Sequence, residues 1–400
     1  MKVLVADTFS EAGLNELRRH GADVSYGPDL AENALAAAVA KERPDVLVVR
    51  STRVTESVLT GGPLALVVRA GAGVNTIDVD AASRRGIRVA NCPGKNSVAV
   101  AELAFGLILA LDRRIPEGAA DLRRGVWNKK EYSKANGLFG RTLGIMGLGH
   151  IGQEMVVRAH AFGMPVVAWE PLPEYRIERP GVGLVSSPLE LAAAADVVSV
   201  HLALTEETRG LIGAEFFSRM RPGSLFVNTS RAEVVDQSAL AVAVKDRGIR
   251  AGLDVCSGEP KTGTGEVIDD IFQLEGVIGT HHIGASTEQA QEAIADETVR
   301  IIREYMDTGR APNTVNLAKK TPATHVLAVT YYDRVGVLAG IFDQLREADI
   351  NVEEMECVVF QGAAAATARI HLSKAPPKSM LGALRSDSTD VISFNVVKLQ

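Results

Sequence analysis

Three glycines near the middle of the chain constrain its fold more than any other feature. Residues 141–152 read RTLGIMGLGHIG, which puts Gly147, Gly149 and Gly152 at GxGxxG spacing, and Glu170 ends the run VVAWE eighteen residues after the last of them. Thr142 to Met146 is a short apolar run suited to a buried parallel strand. Gly147 permits a tight turn after that strand, Gly149 has no Cβ to hold off a pyrophosphate, and Gly152 lets the next helix pack close to the sheet. The helix expected from about His150 to Ala161, opened by His150 and Ile151, points its N-terminal N–H groups at the same anion. Strand, glycine turn, helix, strand and acid in this order are what a bound dinucleotide requires. Glu170 is placed to accept hydrogen bonds from the adenosine ribose. A carboxylate there repels a 2′-phosphate, and no arginine directly follows it, so NAD is expected rather than NADP.

The rest of the chain divides around this fingerprint. Residues 1 to about 95 alternate short β-branched runs (VLVA, DVLVVR, LVVRAG, IRVA) with helical stretches, the pattern of a parallel α/β unit. A second series begins at the fingerprint, with VVAWE, DVVSVH, SLFVNTS and IRAGLDV as strands and SALAVAVKDRG as an intervening helix. The expected class is therefore α/β, with two Rossmann-like doubly wound parallel-sheet units in tandem. Ser97 to Leu111 is apolar nearly all round, as a helix buried at a domain or subunit interface would be. Thr287 to Thr308 is charged and helical, and Asn313 to Thr324 has the polar, Pro-bearing character of a linker. From about residue 325 the order is strand HVLAVTYY, helix VGVLAGIFDQLREA, strands INVEEMECVVF and AAATARIHL, a further helix and strand ISFNVVKL, a small βαββαβ sandwich.

Composition narrows the function. A chain of 400 residues, 46% hydrophobic and 23% charged, suits two or three folded domains. It opens MKVLVADTFS, which does not read as a signal peptide, and no apolar stretch is long enough to span a bilayer, so a cytoplasmic protein is expected. A net charge of −6 without a basic block argues against nucleic-acid binding. Cys92, Cys256 and Cys357 have neither disulfide nor metal-site spacing, and no metal is expected.

Polar residues fall where a parallel sheet presents its ligand crevice, at the carboxyl ends of strands. Arg231 in VNTSRAEVVD, Asp254 in AGLDV, Glu259 in SGEP and His282 in THHIGAST follow one another in this way. Hydride transfer from a secondary alcohol to NAD needs a base for the hydroxyl proton, a cation for a neighbouring carboxylate, and a group that holds the base in one protonation state. Histidine, arginine and glutamate supply those roles, because a carboxylate on one ring nitrogen leaves the other to take the proton, and a guanidinium offers a planar fork. His281 competes with His282 for the role of base.

These segments, with VVRSTRVT, RAGAGVNTID and NCPGKNSVAVAE, resemble the D-2-hydroxyacid dehydrogenases along essentially the whole chain. The resemblance implies Arg231, Glu259 and His282 as the catalytic set; His282 is preferred because the family's histidine immediately precedes the IGA segment. It implies Asp254 near the nicotinamide carboxamide, with Thr229, Ser230 and Gly284 along the cofactor. Arg50, Ser51, Arg69, Gly71, Ala72, Gly73 and Asn96 are implied to face the substrate, and Arg50, Arg53 and Arg69 would offset the charge of a phosphate and a carboxylate. Lys129 and Lys130 in WNKKEYS are either further phosphate contacts or a solvated face, and Trp127 is an interface or core anchor.

The resemblance further implies a discontinuous substrate domain (1–96 and 289–318), an NAD domain (97–288) and, over 323–400, an ACT regulatory domain. In that fold Asp333, Gly336 and Asn351 are candidates for binding an amino-acid effector, although Tyr331, Asp333 and Val335 stand where the serine-binding version has other residues. The branch most like this chain oxidises 3-phospho-D-glycerate to 3-phosphohydroxypyruvate with NAD, towards serine, and a homodimer or homotetramer is expected. The rivals are a reductase of glyoxylate, hydroxypyruvate or a related acid, and an NAD-sensing protein without turnover. Three departures from the family pattern, Ala232 and Glu233 after the arginine and His281 before the catalytic histidine, bear on substrate choice.

Overall fold

The computed structural model describes residues 1–30, 32–172, 180–260, 264–266, 269–318, 320–386 and 389–399. The chain forms two compact units, Met1–Asn316 and Leu317–Gln400.

The first unit contains two parallel sheets. One is built from β1 (Lys2–Val5), β2 (Asp23–Tyr26), β3 (Val46–Val49), β4 (Leu66–Arg69) and β5 (Arg88–Asn91), in the order β2-β1-β3-β4-β5. The other is built from β6 (Leu143–Met146), β7 (Val166–Trp169), β8 (Val182–Leu184), β9 (Val197–Val200), β10 (Leu225–Asn228), β11 (Arg250–Leu253) and β12 (Val277–Gly279), in the order β12-β11-β10-β9-β6-β7-β8. Central strands such as VLVV and LGIM are buried at every residue because helices cover both faces, which is why they are uniformly apolar rather than alternating. In each sheet the strand order reverses once, between β1 and β3 and between β6 and β9. The ligand crevices of such sheets open at the carboxyl ends beside those reversals.

Two helices tie the sheets together. Ser97–Arg113 lays Leu107, Ile108 and Leu111 on the second sheet against Leu143, Ile145 and Val227, so its apolar surface is largely used within the unit. Glu288–Thr308 follows the last strand of the second sheet yet packs on the first, where Ile294, Val299, Ile301 and Ile302 join Val3, Val48, Val68 and Leu17 in one core.

Three edge strands, β2, β8 and β12, are not among the runs expected from sequence. They are short, and DVSY and VGL are only partly buried, so they lack the continuous apolar signature of the centre. The expected linker also starts later than Asn313. Thr314 bridges Ala90, the Val315 N–H donates to Val89 O at 2.8 Å, and the Val89 N–H donates to Asn316 Oδ1 at 2.8 Å. The backbone groups on the open side of edge strand β5 need partners, and residues 313–316 supply them. Trp127 is 79% exposed, which excludes the core-anchor role.

The second unit is a four-stranded antiparallel sheet of β13 (His325–Tyr332), β14 (Val352–Val359), β15 (Ala365–Leu372) and β16 (Val391–Lys398), in the order β14-β15-β13-β16. Helices Val337–Glu347 and Lys378–Ser386 cover one face, over a core of Leu327, Val329, Ile341, Leu345, Ile370 and Leu384. Among the described residues no helix is long and apolar enough to cross a membrane.

Candidate active site

The glycine fingerprint sits at the crevice of the second sheet, and its three glycines are required for different reasons. Gly147 has φ +99°, and a Cβ there would meet His201 O at 2.9 Å. A Cβ on Gly152 would fall 2.0 Å from Gly147 O, so only glycine lets the helix His150–Ala161 approach the turn. Gly149 is different: a Cβ there meets no atom of the protein within 4 Å, and its φ of −59° suits any residue. Nothing in the fold demands glycine at that position, whereas a pyrophosphate seated on the helix terminus does.

Glu170 is buried, with Oε2 accepting from the Leu148 N–H at 2.5 Å and Oε1 from the Leu172 N–H at 3.0 Å, so the acid is locked onto the glycine turn. The buried Thr229 hydroxyl has no hydrogen-bond partner among the described residues, an omission a bound polar ligand corrects. Its neighbour Ser230 is satisfied internally, with both N–H and Oγ donating to Asn228 Oδ1 at 2.9 Å. His201 lies half-buried beside the turn; the burial of its ring pushes its pKa down to about 3, which keeps the ring neutral. The open glycine, the unpaired hydroxyl and the uncapped helix terminus fit a dinucleotide.

His282 and Glu259, expected from sequence to act as an acid–base pair, are in hydrogen-bond contact. His282 Nδ1 donates to Glu259 Oε2 at 2.8 Å, and Glu259 Oε1 accepts from the Cys256 N–H at 3.1 Å. Burial alone would raise the Glu259 carboxyl. The His282 hydrogen bond and charge, the Cys256 N–H and the charge of Arg231 outweigh it and hold the carboxyl below its usual range. His281 is exposed, and His282 carries the contact to the acid.

His282 also has φ +54°, a left-handed conformation costing roughly 1–2 kcal/mol for a residue with a Cβ. Asp254 accounts for it. This fully buried carboxylate accepts from Thr280 Oγ1 at 2.6 Å and from the Ile283 and Gly284 N–H groups at 2.9 Å each, pinning the chain on both sides of the histidine. Thr287 then caps the helix Glu288–Thr308 by accepting from the Ala290 N–H at 3.2 Å.

Cations from the first sheet meet Arg231, whose charge also acts on Glu259. Asp7, just after β1, accepts from the Arg50, Ser51 and Thr52 N–H groups at 2.6, 3.1 and 3.1 Å, which shapes the turn after β3. Sequence inspection missed Asp7; its place after the first apolar strand was the available signal. Arg69 donates from Nε to Arg50 O at 3.0 Å and lies across Gly71, where a Cβ would sit 1.7 Å from its Nη1. Burial, then the charges of Arg231 and Arg50, push the Arg69 guanidinium down to about 10. Arg231 extends to the same loop, with Nη2 2.9 Å from where a Gly73 Cβ would lie.

Arg50, Arg69 and Arg231 are thus the concentrated positive charge, while Arg53 is exposed to solvent. Gly94 packs on the His150 ring, and Asn96 precedes the helix Ser97–Arg113 without capping it by its side chain. Lys129 and Lys130 lie in a short helix with no buried residue. Glu233 is exposed in the turn Ala232–Val234 beside Arg231. Among the described residues no three His, Cys, Asp or Glu side chains converge as metal ligands.

In the second unit the effector candidates do not converge through mutual hydrogen bonds. Gly336 starts the helix Val337–Glu347 at φ +94°, Asn351 Nδ2 donates to Glu353 Oε1 at 2.9 Å, and the Asp333 N–H donates to Ala364 O at 3.1 Å.

The dinucleotide crevice, the His–Glu pair and the arginine cluster on paired parallel sheets are the parts a nicotinamide-dependent dehydrogenase uses. The chain belongs to the D-isomer specific 2-hydroxyacid dehydrogenases: the family's NAD-binding domain matches residues 105–284. Among its relatives, a D-3-phosphoglycerate dehydrogenase of Methanocaldococcus jannaschii is 38% identical over 359 residues, 89% of this chain and 67% of the relative. A hydroxypyruvate reductase of Thermotoga maritima is 42% identical over 262 residues, 64% of this chain and 83% of the relative. The NAD-bound 3-phosphoglycerate dehydrogenase of Entamoeba histolytica superposes with a TM-score of 0.66 at 26% identity, covering 79% of this chain and 99% of that one. The chain spans between 58% and 67% of the length of the curated relatives named D-3-phosphoglycerate dehydrogenase.

Proposed function

We propose that this protein oxidises 3-phospho-D-glycerate to 3-phosphohydroxypyruvate with NAD. The observation that carries the proposal is the arginine cluster near the His282–Glu259 pair: Arg69 Nε donates to Arg50 O at 3.0 Å, Arg231 reaches the loop at Gly73, and an anion of two acidic groups would offset cations gathered this closely.

In this reading Arg231 holds the carboxylate in a bidentate fork. His282 uses Nδ1 on Glu259 and presents Nε2 to the substrate hydroxyl, whose proton it takes as the C–H hydride leaves. NAD, held by Gly147, Gly149, Gly152, Glu170 and Thr229, supplies the hydride acceptor. Asp254 keeps His282 in its left-handed conformation and so fixes the ring's reach. Arg50, Ser51, Arg69, the loop Gly71–Gly73 and Asn96 receive the distal anion. Residues 1–96 with 289–318 act as the substrate domain and 97–288 as the cofactor domain. Residues 323–400 act as an ACT-type regulatory domain that takes a small amino acid near Gly336 and Asn351, in a cytoplasmic homo-oligomer.

The second reading, reduction of hydroxypyruvate or glyoxylate, is favoured by the 42% identity to the Thermotoga maritima reductase and by the exposed Glu233 carboxylate beside Arg231. The deciding experiment is NADH formation from 3-phosphoglycerate and from D-glycerate side by side, with the product removed. A strong preference for the phosphorylated acid supports the first reading, and an equal or reversed preference refutes it. His282→Ala should lower kcat by roughly 10²–10⁴ if the pair performs the proton transfer. No turnover of any 2-hydroxy acid would leave an NAD-sensing protein.

A further inference from the structure

Glu297 lies on the helix Glu288–Thr308, away from the acid–base pair, and is only 6% exposed. Its carboxylate makes four contacts with three partners from three segments. Arg300 binds it in a fork, Nη2 to Oε1 at 2.6 Å and Nε to Oε2 at 3.1 Å. Lys95 Nζ lies 3.4 Å from Oε2, and Asn313 Nδ2 donates to Oε1 at 2.7 Å.

Two of these partners lead to the candidate substrate loops. Lys95 stands between Gly94, which packs on the His150 ring, and Asn96. Asn313 Nδ2 also donates to Asn91 O at 3.2 Å, and Asn91 Nδ2 donates in turn to Ala72 O at 2.5 Å. The loops 71–73 and 94–96 are thereby fastened to the helix that begins six residues after His282. Cys92 completes the seam, its Sγ 3.4 Å from Thr298 Oγ1 on the next residue of the same helix.

We infer that Glu297 is a positioning residue, holding the substrate loops 71–73 and 94–96 in register with the helix that carries the His282 loop. This rests on the proposed assignment of those loops to the substrate. A single buried carboxylate serves here because it accepts from a lysine, an arginine and an amide at once, and no apolar side chain can bind three donors from separate segments. Misplacement of substrate by a fraction of an ångström lowers turnover strongly, so a residue outside contact range still sets the rate.

The test uses the full chain and the variants Glu297→Gln and Lys95→Met, the second changing a half-exposed side chain and so leaving the fold intact if the first does not. Amide hydrogen exchange is read at 71–73 and 94–96, and KM is measured for 3-phosphoglycerate and for NAD. Both variants should speed exchange in the 94–96 loop, and Glu297→Gln in the 71–73 loop as well. KM for the acid should rise about tenfold while KM for NAD stays within about twofold. Adding Lys95→Met to Glu297→Gln should change the 94–96 loop little further, because the contact between the two side chains is already weakened. Unchanged exchange in both loops, or an equal rise in both KM values, overturns the inference. If the chain does not turn over 3-phosphoglycerate, the exchange result still decides it, so the two readings fail separately.

Discussion

The same carboxylate allows a quantitative prediction about stability. The Arg300 hydrogen bonds lower the Glu297 pKa; burial opposes them, and Asn313 and the charges of Arg300 and Lys95 add to the lowering, so that it falls from 4.5 to about 2. At about 1.36 kcal/mol per unit, ionised Glu297 contributes about 3 kcal/mol to folding at neutral pH. Because the folded value is the depressed one, this contribution is complete above the unfolded value of 4.5 and is lost as pH falls towards 2. About 1.4 kcal/mol of it should disappear between roughly pH 7 and pH 3.5. Glu297→Gln should therefore be less stable than the wild type by about 2–3 kcal/mol at pH 7, and the difference should shrink by more than 1 kcal/mol at the lower pH. Urea unfolding followed by tryptophan fluorescence isolates the effect, since the two tryptophans, Trp127 and Trp169, both lie in Met1–Asn316 and report that unit. Subtracting the variant from the wild type at each pH removes the titration of every other carboxylate. A difference that does not change with pH would refute the assignment of the shift to Glu297.

Other substitutions follow from the same geometry. Gly149→Ala adds a methyl in open space, so calorimetry should find NAD affinity down by roughly 10- to 100-fold while thermal stability stays within about 0.5 kcal/mol; Gly152→Ala, 2.0 Å from a carbonyl, should instead unfold the domain. Unchanged NAD binding in Gly149→Ala would mean that the pyrophosphate lies elsewhere. Arg69→Met relieves a crowded cation and should stabilise the apo protein by on the order of 1 kcal/mol while raising KM for the anionic substrate, an opposition that a simple packing role does not produce. Glu259→Gln should lower kcat by roughly 10–10³ with little change in melting temperature, because the pair it breaks is partly exposed; a large loss of stability would make Glu259 structural.

Much of the site is legible before folding because its geometry is local. The GxGxxG turn, its helix and the acid lie within 24 residues, and the stereochemistry of glycine ties each position to a task that the backbone later displays. His282 and Glu259, 23 residues apart, stand out in the sequence through the family resemblance, and the fold brings them together because they follow the ends of the neighbouring strands β11 and β12. Edge strands β2, β8 and β12 escape notice for the opposite reason. A strand with solvent on one side has no need of an unbroken apolar run, and the pattern that reveals the sheet's centre is absent at its margin.

Alternation of apolar strands, helices and glycine turns by itself determined two parallel sheets, a small antiparallel sandwich and a dinucleotide crevice, because burial and backbone conformation are demands each segment meets locally. Only the tertiary structure decided which distant charges meet. Asp7 takes the N–H groups of a turn more than 40 residues away, Arg231 crosses to the loop at Gly73, and Glu297 joins Lys95, about two hundred residues before it, to Asn313. Buried polar groups find partners wherever the packed elements place them, and a carboxylate carries no mark in the sequence to say which cation, two hundred residues away, will arrive beside it.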